Sequence, residues 1–189
     1  MVQTMVRGAD LVAKPWPNGH GITRDVAGKQ SLDRRIDWLI SIADLTRDAD
    51  FSYFADCDRY FTLVDGEGVE LAVGAGVPVR CTPLVPFFFA GDVPTRCRVR
   101  TPARAFNVYV ARDYGRIEVS ARIVAGGHRI RLAHNLVAVY CAFGKLIAGD
   151  HVLGQGDTLV DPGILEARAG EAAGLVFVQT TQGVDQSVL

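Results

Sequence analysis

Several absences narrow the class of this chain before any motif is weighed. Long apolar runs are missing; the longest are strand-sized, well short of the ~20 residues a membrane-crossing helix needs. The opening Met1-Val2-Gln3-Thr4-Met5-Val6-Arg7 lacks the apolar stretch of a signal peptide, so a cytoplasmic protein is expected, with no membrane partner. Charge of one sign is missing too. The net charge is −1 with 22% charged residues, which argues against both disorder and a broad nucleic-acid field. Cysteine is scarce and scattered: Cys57, Cys81, Cys97 and Cys141 include no pair at metal-finger or redox spacing. Each reads as a buried small hydrophobe in a reducing compartment. Histidine is equally sparse. His20, His128, His134 and His151 form no His-x-His and no pair at helical spacing, so no metal and no other cofactor is expected. Helical periodicity over a dozen residues is absent as well. No strand–turn–helix elbow presents a nucleophile, which argues against a serine-hydrolase route.

What remains is rich in β-formers. Hydrophobic residues make up 49% of the 189, enough to fill the core of one domain or two small ones. Short runs of Val, Ile, Phe and Tyr are divided by Gly, Pro and Asp about every ten residues. They predict strands at 38–43, 60–64, 69–73, 77–81, 86–90, 97–100 and 106–111, then at 117–124, 128–132, 136–143, 158–160 and 175–179. A single helical turn fits 43–53. An all-β sandwich or barrel follows. The pairs Gly91-Asp92 and Gly156-Asp157 sit in similar surroundings and suggest an internal repeat. One compact chain of two β-units, about 1–115 and 116–189, is expected, although Gly-Asp is also a common hairpin turn.

Several segments could carry chemistry. Trp16-Pro17-Asn18-Gly19-His20-Gly21 joins an aromatic wall to a tight turn whose small residues let a ligand approach the backbone. Its glycine spacing is not a nucleotide fingerprint. Arg59 alternates with Phe61 and Leu63, so an inward face would bury its guanidinium. A buried arginine needs an anion, either a ligand carboxylate or a neighbour such as Asp56, Asp58 or Asp92. Ser41 interrupts the apolar strand that begins at Trp38, and Asn107 interrupts the one that begins at Phe106. Each must find a partner if buried. Arg96, Arg98 and Arg100 share a strand face without interleaved aromatics, which reads as a solvated face rather than a nucleic-acid site.

Taken together, these pieces resemble the HutD/Ves family. Trp16-x-Asn18-Gly19-x-Gly21-x-Thr23-Arg24-Asp25 is similar to the family's W-x-N-G-G-G-x-T-R-E. Trp38-Leu39-Ile40-Ser41-Ile42-Ala43 is similar to its W-R-L-S-I-A. Phe51-Ser52-x-Phe54, Asp58-Arg59, Phe87-x-Phe89-x-Gly91-Asp92 and Phe106-Asn107-Val108 follow in family order over roughly residues 10–112. The resemblance implies a bicupin, two RmlC-like double-stranded β-helix units, without the usual cupin metal ligands. It also implies an association with histidine utilisation and a role in binding or sensing a metabolite such as N-formylglutamate or urocanate. Three residues depart from the pattern. His20 stands where the family has Gly, Asp25 where it has Glu, and Ala105 where an acid commonly precedes the Asn motif.

The leading reading is a metal-free bicupin that binds a small carboxylate metabolite, more a binding protein than an enzyme. Arg59 would clamp the carboxylate, Asn18, Ser41 and Asn107 would orient polar groups, and Trp16 and Trp38 would wall the pocket. His20 would tune it. A rival reading is a cupin-type isomerase or epimerase with His20 as base beside Asp25 or Asp92. Another is a structural or interaction module with a vestigial pocket. Open β-units also leave edge strands that a homodimer could use.

Overall fold

The computed structural model describes residues 3–16, 19–31 and 35–181. The chain divides into two units. One is Ala9–Arg112; the other joins the segment up to Gly8 to the chain from Asp113 onward. Strand β1 (Thr4–Val6) and a 3-10 turn at Gly8–Asp10 open the chain.

The N-terminal unit starts with a hairpin of β2 (Lys14–Pro15) and β3 (Ile22–Gln30). Then come β4 (Ile36–Leu45), β5 (Ala49–Asp50), β6 (Cys57–Asp65) and β7 (Val69–Val73). Strands β8 (Val79–Cys81), β9 (Phe87–Ala90), β10 (Thr95–Val99) and β11 (Ala103–Ala111) complete it. Its larger sheet runs β2-β3-β4-β11-β6-β9 and its smaller one β5-β10-β7-β8, with neither closing on itself. The paired strands in both are antiparallel. Period-two alternation sends Ala43, Phe61, Leu63 and Ala105 of the larger sheet into one core with Leu71, Cys81 and Cys97 of the smaller. Phe61, Leu63 and Leu71 are wholly buried, each contributing about 1.5–3 kcal/mol of transfer free energy.

The C-terminal unit holds β12 (Ile117–Val124), β13 (Arg129–Leu132), β14 (Leu136–Phe143) and β15 (Leu146–Ala148). Strands β16 (His151–Leu153), β17 (Thr158–Val160), β18 (Leu165–Ala169) and β19 (Ala173–Thr180) follow. The sheets run β1-β17-β14-β19-β12 and β13-β18-β15-β16. Strand for strand, β12 through β19 repeat the pairing of β4 through β11. The Gly-Asp pairs are not counterparts within this repeat. Gly91-Asp92 follows β9, whereas Gly156-Asp157 precedes β17, the strand that matches β9.

Strands β7, β12, β14 and β17 fall on their expected bounds; β14 and β17 are largely buried on both faces, whereas β12 alternates apolar residues with exposed Glu118, Ser120 and Arg122. The helical turn expected within 43–53 is absent. There β4 runs on to Leu45 and Ala49–Asp50 pairs with β10 instead. Strand β3 escaped the sequence reading because Asp25, Gly28 and Lys29 are poor β-formers that break its apolar pattern; its ladder with β4 holds it extended. All four cysteines are buried and free. Burial pushes the Cys97 thiol up to about 12, and those of Cys81 and Cys141 up to about 11. Among the described residues, no helix is long and apolar enough to cross a membrane.

Candidate functional site

A cavity of about 220 Å³ opens in the N-terminal unit. The strand register explains its polar floor. Asp25 of β3 lies opposite Ser41 of β4, Ser41 opposite Asn107 of β11, and Asn107 opposite Phe61 of β6. One row along, Tyr109 lies between Leu39 and Arg59, and Arg59 lies opposite Phe89. Since both rows have the same parity, Ser41, Asn107, Tyr109 and Arg59 project from one face of one sheet.

Arg59 is the centre of the arrangement. It is 3% exposed and lines the cavity. Its Nη2 and Nε donate to Asn107 Oδ1 at 2.8 and 3.3 Å. The guanidinium carbon lies 4.1 Å from the Phe51 ring centroid, 4.9 Å from that of Tyr109 and 5.5 Å from that of Phe89. These rings offer their negative faces to the cation. Burial depresses the Arg59 pKa, against the pull of Tyr109 and Cys97; a guanidinium nonetheless stays charged in a protein. Among the described residues, no carboxylate pairs with it. Two of the acids the sequence offered are engaged elsewhere. Arg112 Nε donates to Asp58 at 2.9 Å, and its two terminal nitrogens grip Asp92 at 2.8 and 2.7 Å.

The rest of the cavity is largely apolar. Trp16, 8% exposed, meets the Phe51 ring edge-on at 5.8 Å, and the Phe54 and Tyr109 rings lie 4.3 Å apart. Trp16 is seated by its own turn. Its N–H donates to Gly21 O, and its carbonyl accepts from Gly19 N–H, both at 2.9 Å. Burial raises the Tyr109 phenol above its ordinary pKa, against Arg59 and a hydrogen bond with Ser41. The Ser52 hydroxyl lines the cavity buried and, among the described residues, without a hydrogen-bond partner. Lys14 pairs with Asp25, and both side chains line the cavity while partly exposed.

Of the residues expected from sequence, Trp16, Ser41 and Arg59 line this cavity. Asn107 lies fully buried, holding Arg59 rather than lining the space. Trp38 does not belong to the wall. Alternation along β4 turns Leu39, Ser41 and Ala43 inward and sends Trp38 to the opposite face with Ile40 and Ile42. His20 is exposed on the turn and is not part of the lining, so the isomerase reading finds no histidine base there. Asn18 lies outside the described residues. Tyr109, Phe51 and Ser52 were missed as site residues. Tyr109 was legible, two positions beyond Asn107 on the same strand; the other two sit in a connection no periodicity reads. Among the described residues, no cluster of three or more His, Cys, Asp and Glu side chains could hold a metal. The basic strand face pairs outward, Arg96 with Asp50 at 3.4 Å and Arg100 with Glu70 at 3.7 Å.

The matching region of the C-terminal unit is built differently. The ladder irregularities beside Ala105 and beside Cys141 align the two units, placing Leu175 with Ala105 and Phe177 with Asn107. The start of β14, Leu136-Val137, then stands where the first unit has Arg59. Leu136, Val139, Leu159 and Phe177 are buried in one apolar core.

Such a fold and site define an all-β protein of cupin-like architecture. A cupin 2 conserved barrel domain protein from Leptotrichia buccalis shares the fold with a TM-score of 0.60 at 11% identity, over 94% of this chain and 96% of that one. More particularly, the family model HutD matches residues 8–174, and the chain belongs to the HutD family. HutD from Pseudomonas fluorescens SBW25 is similar in structure, with a TM-score of 0.77 and 27% identity, over 96% of this chain and 100% of that one. An uncharacterised 21.2 kDa protein in the hutC 3′ region of Pseudomonas putida is 35% identical over 113 residues. That match covers 57% of each chain, so this chain spans under two thirds of the relative's length.

Proposed function

We propose that this HutD-family protein is a bicupin that binds a small carboxylate metabolite and acts as a sensor or regulator in histidine utilisation. The observation that carries the reading is Arg59: a buried cation beside a cavity, with no carboxylate partner among the described residues. Burying an unpaired charge costs several kcal/mol, and a ligand carboxylate would offset that cost by a forked hydrogen-bonded pair. The apolar, aromatic walls suit the body of a small organic acid, with a few polar groups to orient it. Kinship with HutD of P. fluorescens and with a protein from a hutC region directs attention to histidine-derived acids. N-formylglutamate and urocanate are the leading classes.

Thermal melting with N-formylglutamate, urocanate, glutamate and histidine tests the proposal. A true ligand at about 100 times its Kd stabilises by about 2.7 kcal/mol. Arg59→Met should erase that shift while the protein still unfolds cooperatively. Flat melts with all four compounds at millimolar concentration would refute the assignment.

A further inference from the structure

The partner of Arg59 is a neutral amide, and its identity has a consequence for what the cavity can select. An arginine has only donors, so the Asn107 atom facing it must be Oδ1. The amide is thereby fixed in orientation, and its Nδ2 points to Ala105 O at 3.5 Å. Asn107 is fully buried and Arg59 nearly so. A carboxylate at position 107 would meet the same two N–H donors with better geometry and charge assistance. The chain instead places an uncharged acceptor there. The nearby acids Asp58 and Asp92 are taken up by Arg112. Asp25, which lies in the same strand row, is held by Lys14. Among the described residues, the rings of Phe51, Tyr109 and Phe89 and the Asn107 amide meet the guanidinium, and none of them neutralises it.

The repeated unit gives an independent comparison. Where no arginine enters the core, the counterpart of Asn107 is Phe177, fully in register within an apolar cluster. The fold therefore does not require an amide at this strand position. The amide accompanies the arginine.

We propose that Asn107 is the charge-selecting residue of the site. By holding Arg59 with a neutral oxygen, it leaves the whole positive charge to the ligand, so the cavity selects a single carboxylate over its uncharged isosteres. Asn107 acts through Arg59 and is a positioning residue that need not touch the ligand. This inference rests on the carboxylate reading above and deepens it.

The decisive variant is Asn107→Asp, nearly isosteric and a better acceptor. If Asn107 served only to hold Arg59 in place, the variant would bind ligand as well as the parent. Charge selection instead requires it to fold normally and lose carboxylate binding by about a hundredfold or more, the loss expected when a buried charge is already paired. Asn107→Ser, neutral and still an acceptor, should stay within about tenfold of the parent. Titration calorimetry with N-formylglutamate and urocanate reads both variants. The parent is also titrated with the matching carboxamides, which it should bind at least thirtyfold more weakly. That last comparison needs no variant and can still overturn charge selection should Asn107→Asp not fold. A parent that binds neither acid overturns both readings. A parent that binds them while Asn107→Asp binds equally well, or that binds the carboxamides equally well, leaves the carboxylate site standing and overturns charge selection.

Discussion

Replacing Arg59 and Asn107 together by Met and Leu should make the protein more stable than it is now. The guanidinium is buried among Phe51, Tyr109 and Phe89, and among the described residues its hydrogen-bond partner is Asn107. Against it stands a desolvation penalty of several kcal/mol, even after relaxation. In its favour are two hydrogen bonds from a charged donor, about 1.5–3 kcal/mol each at best, and ring contacts of roughly 0.5–2 kcal/mol. Removing Arg59 alone would leave the Asn107 oxygen buried without a partner, costing about 1–3 kcal/mol. The double replacement leaves neither debt, and well-packed apolar substitutes for buried ionic groups are stabilising by about 1–4 kcal/mol. For a chain of this size that is about 2–4 °C in Tm per kcal/mol. Urea denaturation followed by circular dichroism, with the m-value unchanged, measures it. The order should be double variant, then parent or Arg59→Met, with the double variant on top. A double variant less stable than the parent by 1 kcal/mol or more would show that Arg59 stabilises the fold, and the argument that it is retained for a ligand would fail.

Three further outcomes follow from the geometry. The Arg112 guanidinium, hydrogen-bonded to Asp92, holds that carboxyl below its ordinary pKa, so the pair stabilises above the unfolded carboxylate value of about 3.9 and fades as pH falls through the folded value. Arg112→Ala should therefore be less stable than the parent at neutral pH and flatter on acidification, the two urea midpoints converging in acid; a gap that persists at low pH would refute the ion-pair account. Asp44 should contribute an acid-side slope that survives in Arg112→Ala, because Arg24 and Arg104 outweigh the opposing effect of its burial. At Gly21 a methyl group would come within 2.6 Å of the Trp16 ring, and overpacking of that kind costs about 1–3 kcal/mol. Gly21→Ala should unseat Trp16, with a red-shifted indole emission and a lowered Tm as the readout; an unchanged spectrum would mean the ring has another seat.

How much of this was legible depended on which physical rule the sequence had to obey. Where a strand is apolar on both faces, as in Leu136–Phe143, composition alone marks it. Where a strand is polar and held by its neighbour, as in Ile22–Gln30, nothing local announces it, because the ladder with β4 supplies the reason for its extension. Arg59 was found because a lone arginine within an alternating apolar strand is an anomaly that demands an anion. Asn107 was found for the same reason, but its partner lies 48 positions away and only the register between β6 and β11 joins the two. Trp38 was misplaced through disregard of parity. Residues 38 and 41 cannot share a face of a regular strand, and Ser41 is the one that looks inward. Phe51 and Ser52 lie in the connection between β5 and β6, where side-chain direction follows from the path of the backbone and not from any period.

The pairing of Thr4–Val6 with Thr158–Val160 bears on how the molecule is made. The strand sits at one extreme of its sheet, and Arg7 reaches across 150 positions to Asp157. On a ribosome Thr4–Val6 emerges long before Thr158–Val160 exists. The N-terminal unit can close its ladders while Thr4–Val6 waits for β17 to emerge. Closing so long a loop adds little entropy beyond that of a loop half as long, but it is slow to find. Completion of that sheet is therefore timed by the emergence of β17, and a bulky tag fused ahead of Thr4 would be felt in the half of the protein farthest from it in sequence.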